Sequence, residues 1–202
     1  MLINRAVVYK PLSGLSISAG TWFFGCRRAA GYFKDLAMSR PYLETLNGVP
    51  MVRAAPGERH EAIGNRLYRA VLVSAALLKS TRVLEPRSEV RLSRETVVRP
   101  DLGLLVAATG RLWLAAEIVN PEDHASDTVI KKQIYEELKL PRLWMIDPRY
   151  DNVEVYHATQ YGLVLQGILA RGEVLTEKLL PIFQLTMNEL FEVQDGQKPR
   201  LG

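Results

Sequence analysis

Two apolar stretches constrain this chain more than any other feature. They are Val97-Val98-Arg99-Pro100-Asp101-Leu102-Gly103-Leu104-Leu105-Val106 and Leu112-Trp113-Leu114-Ala115-Ala116-Glu117-Ile118-Val119-Asn120-Pro121. Each is short and aliphatic and reads as a strand, and Thr109-Gly110 between them marks a tight turn. Each also carries one carboxylate, Asp101 or Glu117, where burial makes a negative charge expensive. A strand, a turn and a strand bring the two acids close together. Their side chains share a face only if paired residues sum to 218, which calls for a three-residue connection around Thr109 with Gly110 in the left-handed region. A two-residue loop would turn them to opposite faces.

Adjacent carboxylates repel, so if both stay ionised a cation must compensate. A hard divalent ion does this best, because Mg²⁺ prefers carboxylate oxygens, a carbonyl and water. Downstream, Asp127, Lys131 and Tyr135 fall at i, i+4 and i+8, along one face of the next helix. If that helix packs beside the end of the Glu117 strand, Lys131 reaches the same point. Two acids, an ammonium and a place for a polarised water make up the kit for hydrolysing a phosphodiester. Plainer readings exist for each part. Asp101 can terminate a turn, Glu117 can be an edge-strand charge facing water, and Asp127 with Lys131 can be an exposed ion pair worth a few tenths of a kcal/mol. Tyr135 reads most simply as a packing residue with a wet hydroxyl.

The 202 residues, 48% of them apolar, suit one substantial α/β core with appendages. Charge is unevenly placed: residues 1–100 hold 16 Lys/Arg against 7 Asp/Glu, and residues 101–202 hold 10 against 15. The amino half is therefore the polyanion-facing candidate. Cys26 is the only cysteine, which excludes an intrachain disulfide and fits a reducing, cytoplasmic setting. No apolar run approaches the roughly 20 residues of a membrane span, and the Ser- and Gly-diluted start lacks a clear secretion-type cleavage site.

Along the chain, residues 1–38 read as an extension with a short helix near Ala29–Ala37, residues 39–192 as the domain, and residues 193–202 as a tail. Tyr42 to Val52 reads as two strands around an Asn47-Gly48 hairpin turn. Pro56-Gly57 opens a long basic helix that carries its apolar stripe on to Leu78. Short strands follow near Val83 and Val90. After the central pair come a helix from Ser126 or Asp127 to about Leu140, ended by Pro141, and strands over Leu143–Ile146, Val153–Tyr156, Leu163–Leu169 and Val174–Leu175. Thr186-Met187-Asn188-Glu189 forms a capping box for a last helix to Glu192.

A family resemblance rests on these residues together. Pro100-Asp101, Glu117-Ile118-Val119-Asn120-Pro121, Asp127-x3-Lys131-x3-Tyr135, Leu140 to Pro148 and Val153-Glu154-Val155-Tyr156, in this order and spacing, resemble the Uma-type restriction endonuclease family of the PD-(D/E)xK nuclease superfamily. Glu44-x-x-Asn47-Gly48, His60 and Leu179-Leu180-Pro181 add to the match, which spans about residues 40 to 192. The resemblance implies a restriction-endonuclease-like core, a mixed β-sheet flanked by helices. It implies Asp101, Glu117 and the Ile118 carbonyl as ligands of Mg²⁺ or Mn²⁺, Lys131 as the catalytic lysine, and Glu44, His60, Asp127 and Tyr135 as accessory residues. The superfamily's Glu-x-Lys would place lysine at 119, where this chain has Val119, so the amine is expected from Lys131. Without the resemblance, Glu44 is a hairpin charge and His60 a polar residue near a helix start.

Three functions of different kind follow. The first is a metal-dependent endonuclease acting on nucleic acid, DNA above all. The second keeps the nuclease fold without catalysis, as a nucleic-acid-binding or assembly protein. The third is an obligate oligomer, a homodimer in its simplest form, whose exposed strands and tryptophans form an interface; Trp113 and Trp144, within their strands, read as core or interface aromatics.

Overall fold

The computed structural model describes residues 40–120 and 126–192. The short helix expected before residue 38, Cys26, the carboxyl-terminal tail and the Asp127 side chain lie outside the described residues.

The chain begins with the hairpin β1 (Tyr42–Leu46) and β2 (Val49–Arg53). Asn47 and Gly48 adopt φ of 51° and 82°, a conformation open to Asn and Gly at little cost, so the loop holds two residues and pairs Leu46 with Val49 out to Tyr42 with Arg53. Helix α1 (Glu58–Ala75) starts at Gly57 with Glu58 and Glu61 in its first turn, where the helix dipole favours acids. It buries Ile63, Leu67 and Val71 and stops at Ala75, leaving Leu77 exposed beyond the helix that the apolar stripe suggested.

Short strands β3 (Thr81–Val83), β4 (Val90–Arg91) and β5 (Val97–Val98) lead to β6 (Leu102–Val106) and β7 (Leu112–Ile118). The first apolar stretch is thus two strands, not one. Pro100 lacks an N–H and restricts the residue before it, so the ladder breaks there. On one side β5 joins a four-stranded sheet in the order β2-β1-β5-β4. On the other β6 joins a six-stranded sheet whose remaining strands are β8 (Arg142–Asp147), β9 (Asn152–Thr159) and β10 (Gly162–Ala170), in the order β10-β9-β8-β7-β6-β3. Asp101 stands at the crossing between the two sheets.

The β6–β7 register departs instructively from expectation. Leu102 pairs with Ala116 and Leu104 with Leu114, the 218 register, which carried one step further sets Asp101 opposite Glu117. The loop, however, has four residues, Ala107 to Gly110, closed by Val106 N–H to the Arg111 carbonyl at 2.8 Å, with Gly110 at φ 68°. Near the turn Leu105 therefore pairs with Leu112, one short of 218. A β-bulge at Trp113 absorbs the difference. Without it the side chains of β7 would alternate the other way, and Glu117 would leave the face it shares with Asp101.

Strand β8 runs parallel to β7, and parallel neighbours need a crossover. The crossover includes a π-helical turn, Ser126–Lys131, that passes into α2 (Lys132–Glu137). The helix ends at Glu137, with Lys139 at φ 52°, ahead of the stop expected at Pro141. A sequence-level reading missed β12 (Leu180–Thr186), which pairs with β11 (Val174–Glu177), because Pro181 and scattered polar residues mask its alternation. The capping box of α3 (Met187–Phe191) is as expected.

Apolar packing falls on both faces of the large sheet. One face gathers Ile63, Leu67, Leu114, Ile118 and Trp144 with side chains of β11, β12 and α3. The other gathers Ala115, Val119, Ile134 and Tyr135 with Leu46 and Val98 of the smaller sheet. The architecture is α/β, mixed sheets flanked by few helices, and no described helix is long and apolar enough to cross a membrane.

Of the core and interface readings of the two central tryptophans, burial supports the core: Trp113 is 5% exposed and Trp144 is fully buried. Trp144 stacks on Phe183 with ring centroids 5.5 Å apart, and its indole N–H has no hydrogen-bond partner among the described residues. Removing that donor offsets part of the lost ring area. Trp144→Phe is thus expected to cost under about 1.5 kcal/mol, against about 3–5 kcal/mol for Trp144→Ala; urea unfolding of the two variants checks the contrast.

Candidate active site

Alternation along β1 turns Tyr42, Glu44 and Leu46 to one face, and the two-residue turn sets Arg53 opposite Tyr42. This hairpin lies over the end of the large sheet where β7 delivers Glu117 and Ile118 and the inter-sheet crossing delivers Asp101. A cavity of about 10 Å³ forms there, lined by Tyr42, Arg53, His60, Asp101, Glu117 and Ile118 among others.

Asp101 is 5% exposed. Its Oδ2 accepts the Ile118 N–H at 2.8 Å, while Oδ1 lies 2.8 Å from His60 Nε2 and 3.5 Å from Arg87 Nη1. Burial works to raise the carboxyl's pKa, yet the His60 ring, the Ile118 N–H and Lys131 together outweigh it and hold Asp101 below the ordinary carboxylate range. Burial, with the Asp101 charge next, pushes the Tyr42 phenol well up, so it stays a neutral hydroxyl at the cavity wall.

Glu117 sits on an interior strand and is 2% exposed, so it is no edge-strand charge. Its Oε1 accepts the Tyr135 hydroxyl at 2.6 Å and its Oε2 lies 2.8 Å from Lys131 Nζ. The Tyr135 hydroxyl is therefore buried and engaged, not wet. Lys131, 1% exposed, also lies 3.0 Å from Glu44 Oε1. Glu44 in turn accepts the Arg99 N–H at 2.6 Å and faces Arg53 Nε at 3.5 Å. Lys131 thus bridges two buried carboxylates, one from each sheet, and meets the cavity through Glu117.

The structure brings together Glu44, His60, Asp101, Glu117, Ile118, Lys131 and Tyr135. Among the described residues no three His, Cys, Asp or Glu side chains are grouped to hold a metal by themselves. Sequence reasoning missed Tyr42, Arg53 and Arg87. The first two were recoverable, since a two-residue Asn-Gly loop sets partners summing to 95 and places Arg53 beside the Glu44 face. Arg87 gave no signal; it arrives from the loop between β3 and β4.

A mixed sheet thus carries two acids and an ammonium clustered near one end. Residues 32–188 match a family model described as "Putative restriction endonuclease", and the chain belongs to that family. Among solved structures, a crystal structure described as "a putative nuclease belonging to DUF820" from Anabaena variabilis superposes with a TM-score of 0.63 at 15% identity, covering 79% of this chain and 94% of that one. Comparison with curated proteins gives no match.

Removing Lys131 would leave Glu44 and Glu117 buried side by side. Lys131→Met is expected to lose about 3–5 kcal/mol in denaturant unfolding, and adding Glu44→Gln to recover part of it. Because the folded Asp101 pKa is depressed, its ionised form stabilises the fold above the unfolded value of about 4, and that contribution fades as pH falls through the folded value. The stability gap between wild type and Asp101→Asn should accordingly shrink on acidification below about pH 4, as followed by thermal unfolding across pH.

Proposed function

We propose that this protein is a divalent-metal-dependent endonuclease that hydrolyses phosphodiester bonds of nucleic acid, with DNA its principal substrate and the cytoplasm its compartment. Membership of a restriction endonuclease family supports the reaction class. One observation carries the assignment of the site: Asp101, from the bend before β6, and Glu117, from β7, line one small cavity together with Ile118, and Lys131 holds Glu117 from behind at 2.8 Å.

The donor set fits Mg²⁺ or Mn²⁺. Two carboxylates and the Ile118 carbonyl are hard oxygen ligands, and Mg²⁺ is commonly held by one or two carboxylates with water completing its shell. The cavity of about 10 Å³ has the size of one water molecule or one small ion. When bound, the ion supplies a more acidic water and offsets charge on the phosphate. The chain's own residues do the rest. Lys131 and the Tyr135 hydroxyl fix Glu117 in orientation. The Ile118 N–H does the same for Asp101. In this reading Asp101 and Glu117 are the catalytic acids, Lys131 positions Glu117 and balances charge, and Glu44 anchors Lys131.

Lys79, Arg82 and Arg94 are exposed in the more basic amino-terminal half of the sequence and are candidates for phosphate contact.

The test is cleavage of supercoiled and linear DNA by the purified chain. Activity should require Mg²⁺ or Mn²⁺, stop with EDTA, and fall at least about a hundredfold in Asp101→Asn and in Glu117→Gln. Cleavage that survives both substitutions excludes the site. Salt-sensitive binding of DNA with no turnover under any divalent ion favours the non-catalytic reading instead.

A further inference from the structure

Each carboxylate of the site already faces a hydrogen-bond donor or a cation. Tyr135 and Lys131 meet Glu117, Lys131 and Arg53 meet Glu44, and Asp101 Oδ1 is approached by both His60 and Arg87. Three of these donors come from the core: Lys131 and Arg53 are almost wholly buried, and Tyr135 is an apolar-cluster residue. Arg87 differs. It projects from the loop between β3 and β4, and its side chain is 19% exposed.

The loop nonetheless aims it with care. Arg87 has φ 57°, a left-handed conformation that a residue with a Cβ adopts only when its surroundings impose it. Here the Arg87 N–H donates to the Pro100 carbonyl at 2.9 Å and the Arg87 carbonyl accepts Arg99 Nη1 at 3.2 Å. Both contacts pin the residue to the segment that carries Asp101. The guanidinium then divides its two ends, Nη2 on Glu61 Oε1 at 2.7 Å and Nη1 toward Asp101 Oδ1 at 3.5 Å.

A divalent ion and a guanidinium compete for one carboxylate, because two positive charges within a few ångströms in a poorly hydrated cavity repel each other. We propose that Arg87 is a placeholder cation. It occupies Asp101 in the free protein, lowers the affinity for a divalent ion, and gives way when the ion enters. The released guanidinium stays tethered at the site beside Glu61 and has the forked donor geometry that suits a phosphodiester. Ion and nucleic acid are therefore favoured together over either alone. This rests on the reading that Asp101 and Glu117 hold the ion.

Mn²⁺ binding to the full chain, without nucleic acid, tests it through the electron paramagnetic resonance signal of free Mn²⁺. Arg87→Gln and Arg87→Gly are expected to bind Mn²⁺ about tenfold tighter than wild type or more, a gain that a merely structural residue would not produce. The glycine variant suits φ 57° and so guards against misfolding. Arg87→Lys, which keeps the charge, should stay within about threefold of wild type. Adding Glu117→Gln to Arg87→Gln should abolish the gain and so locate it in this site. Wild-type or weaker affinity in both neutral variants overturns the proposal, as does an Arg87→Lys variant that matches Arg87→Gln. Absence of bound Mn²⁺ from wild type and every variant at millimolar concentration overturns the metal reading itself, a distinct outcome.

Discussion

The ammonium of Lys131, set between Glu117 and Glu44, is the interaction on which the rest of the site depends. Glu117 belongs to the six-stranded sheet and Glu44 to the four-stranded one, so the amine joins two layers that backbone hydrogen bonding keeps apart. Burying three charges is costly, and such a cluster persists only when each member is met by the others or by further donors. The Tyr135 hydroxyl and the Arg99 N–H supply those donors. Hydrophobic burial holds the layers together, and the charge cluster defines how they are aligned.

Much of this was legible beforehand because the chemistry is local. Asn47-Gly48 specifies a two-residue hairpin, Gly57 and the acids after it start α1, and Thr186 with Glu189 caps α3. The convergence of Asp101, Glu117 and Lys131 followed from a register, a crossover and one helical spacing. What escaped depended on long-range packing. The split of residues 97–106 between two sheets needs a second sheet to receive β5, and periodicity along one segment cannot show that. Strand β12 exists because β11 and the face of α1 offer it a partner, although Pro181 argues against it locally. Arg87 reaches Asp101 across a loop whose conformation is imposed by Pro100 and Arg99, so neither its spacing nor its neighbours announced it.

His60 and Tyr135 illustrate how a plain reading fails. Each is unremarkable as a residue type in its place, one at a helix start and one on an apolar helix face. Each becomes consequential because its polar atom lies within hydrogen-bond distance of a buried carboxylate. The reading of Tyr135 as packing was correct for its ring and incomplete for its oxygen.

The bulge at Trp113 has a consequence for how this fold tolerates change in length. Side-chain direction along a strand is a matter of parity, and the pairing closed by the turn at 107–110, Val106 with Arg111, has the wrong parity for bringing Asp101 and Glu117 together. One extra residue downstream corrects it. A residue lost from the turn leaves Val106 facing Arg111 and every pair beyond it unchanged, whereas drawing Trp113 into the regular ladder with the turn kept would invert every position between Leu114 and Ile118. Changes of length around this hairpin should therefore gather in the turn, where they leave the direction of Glu117 untouched.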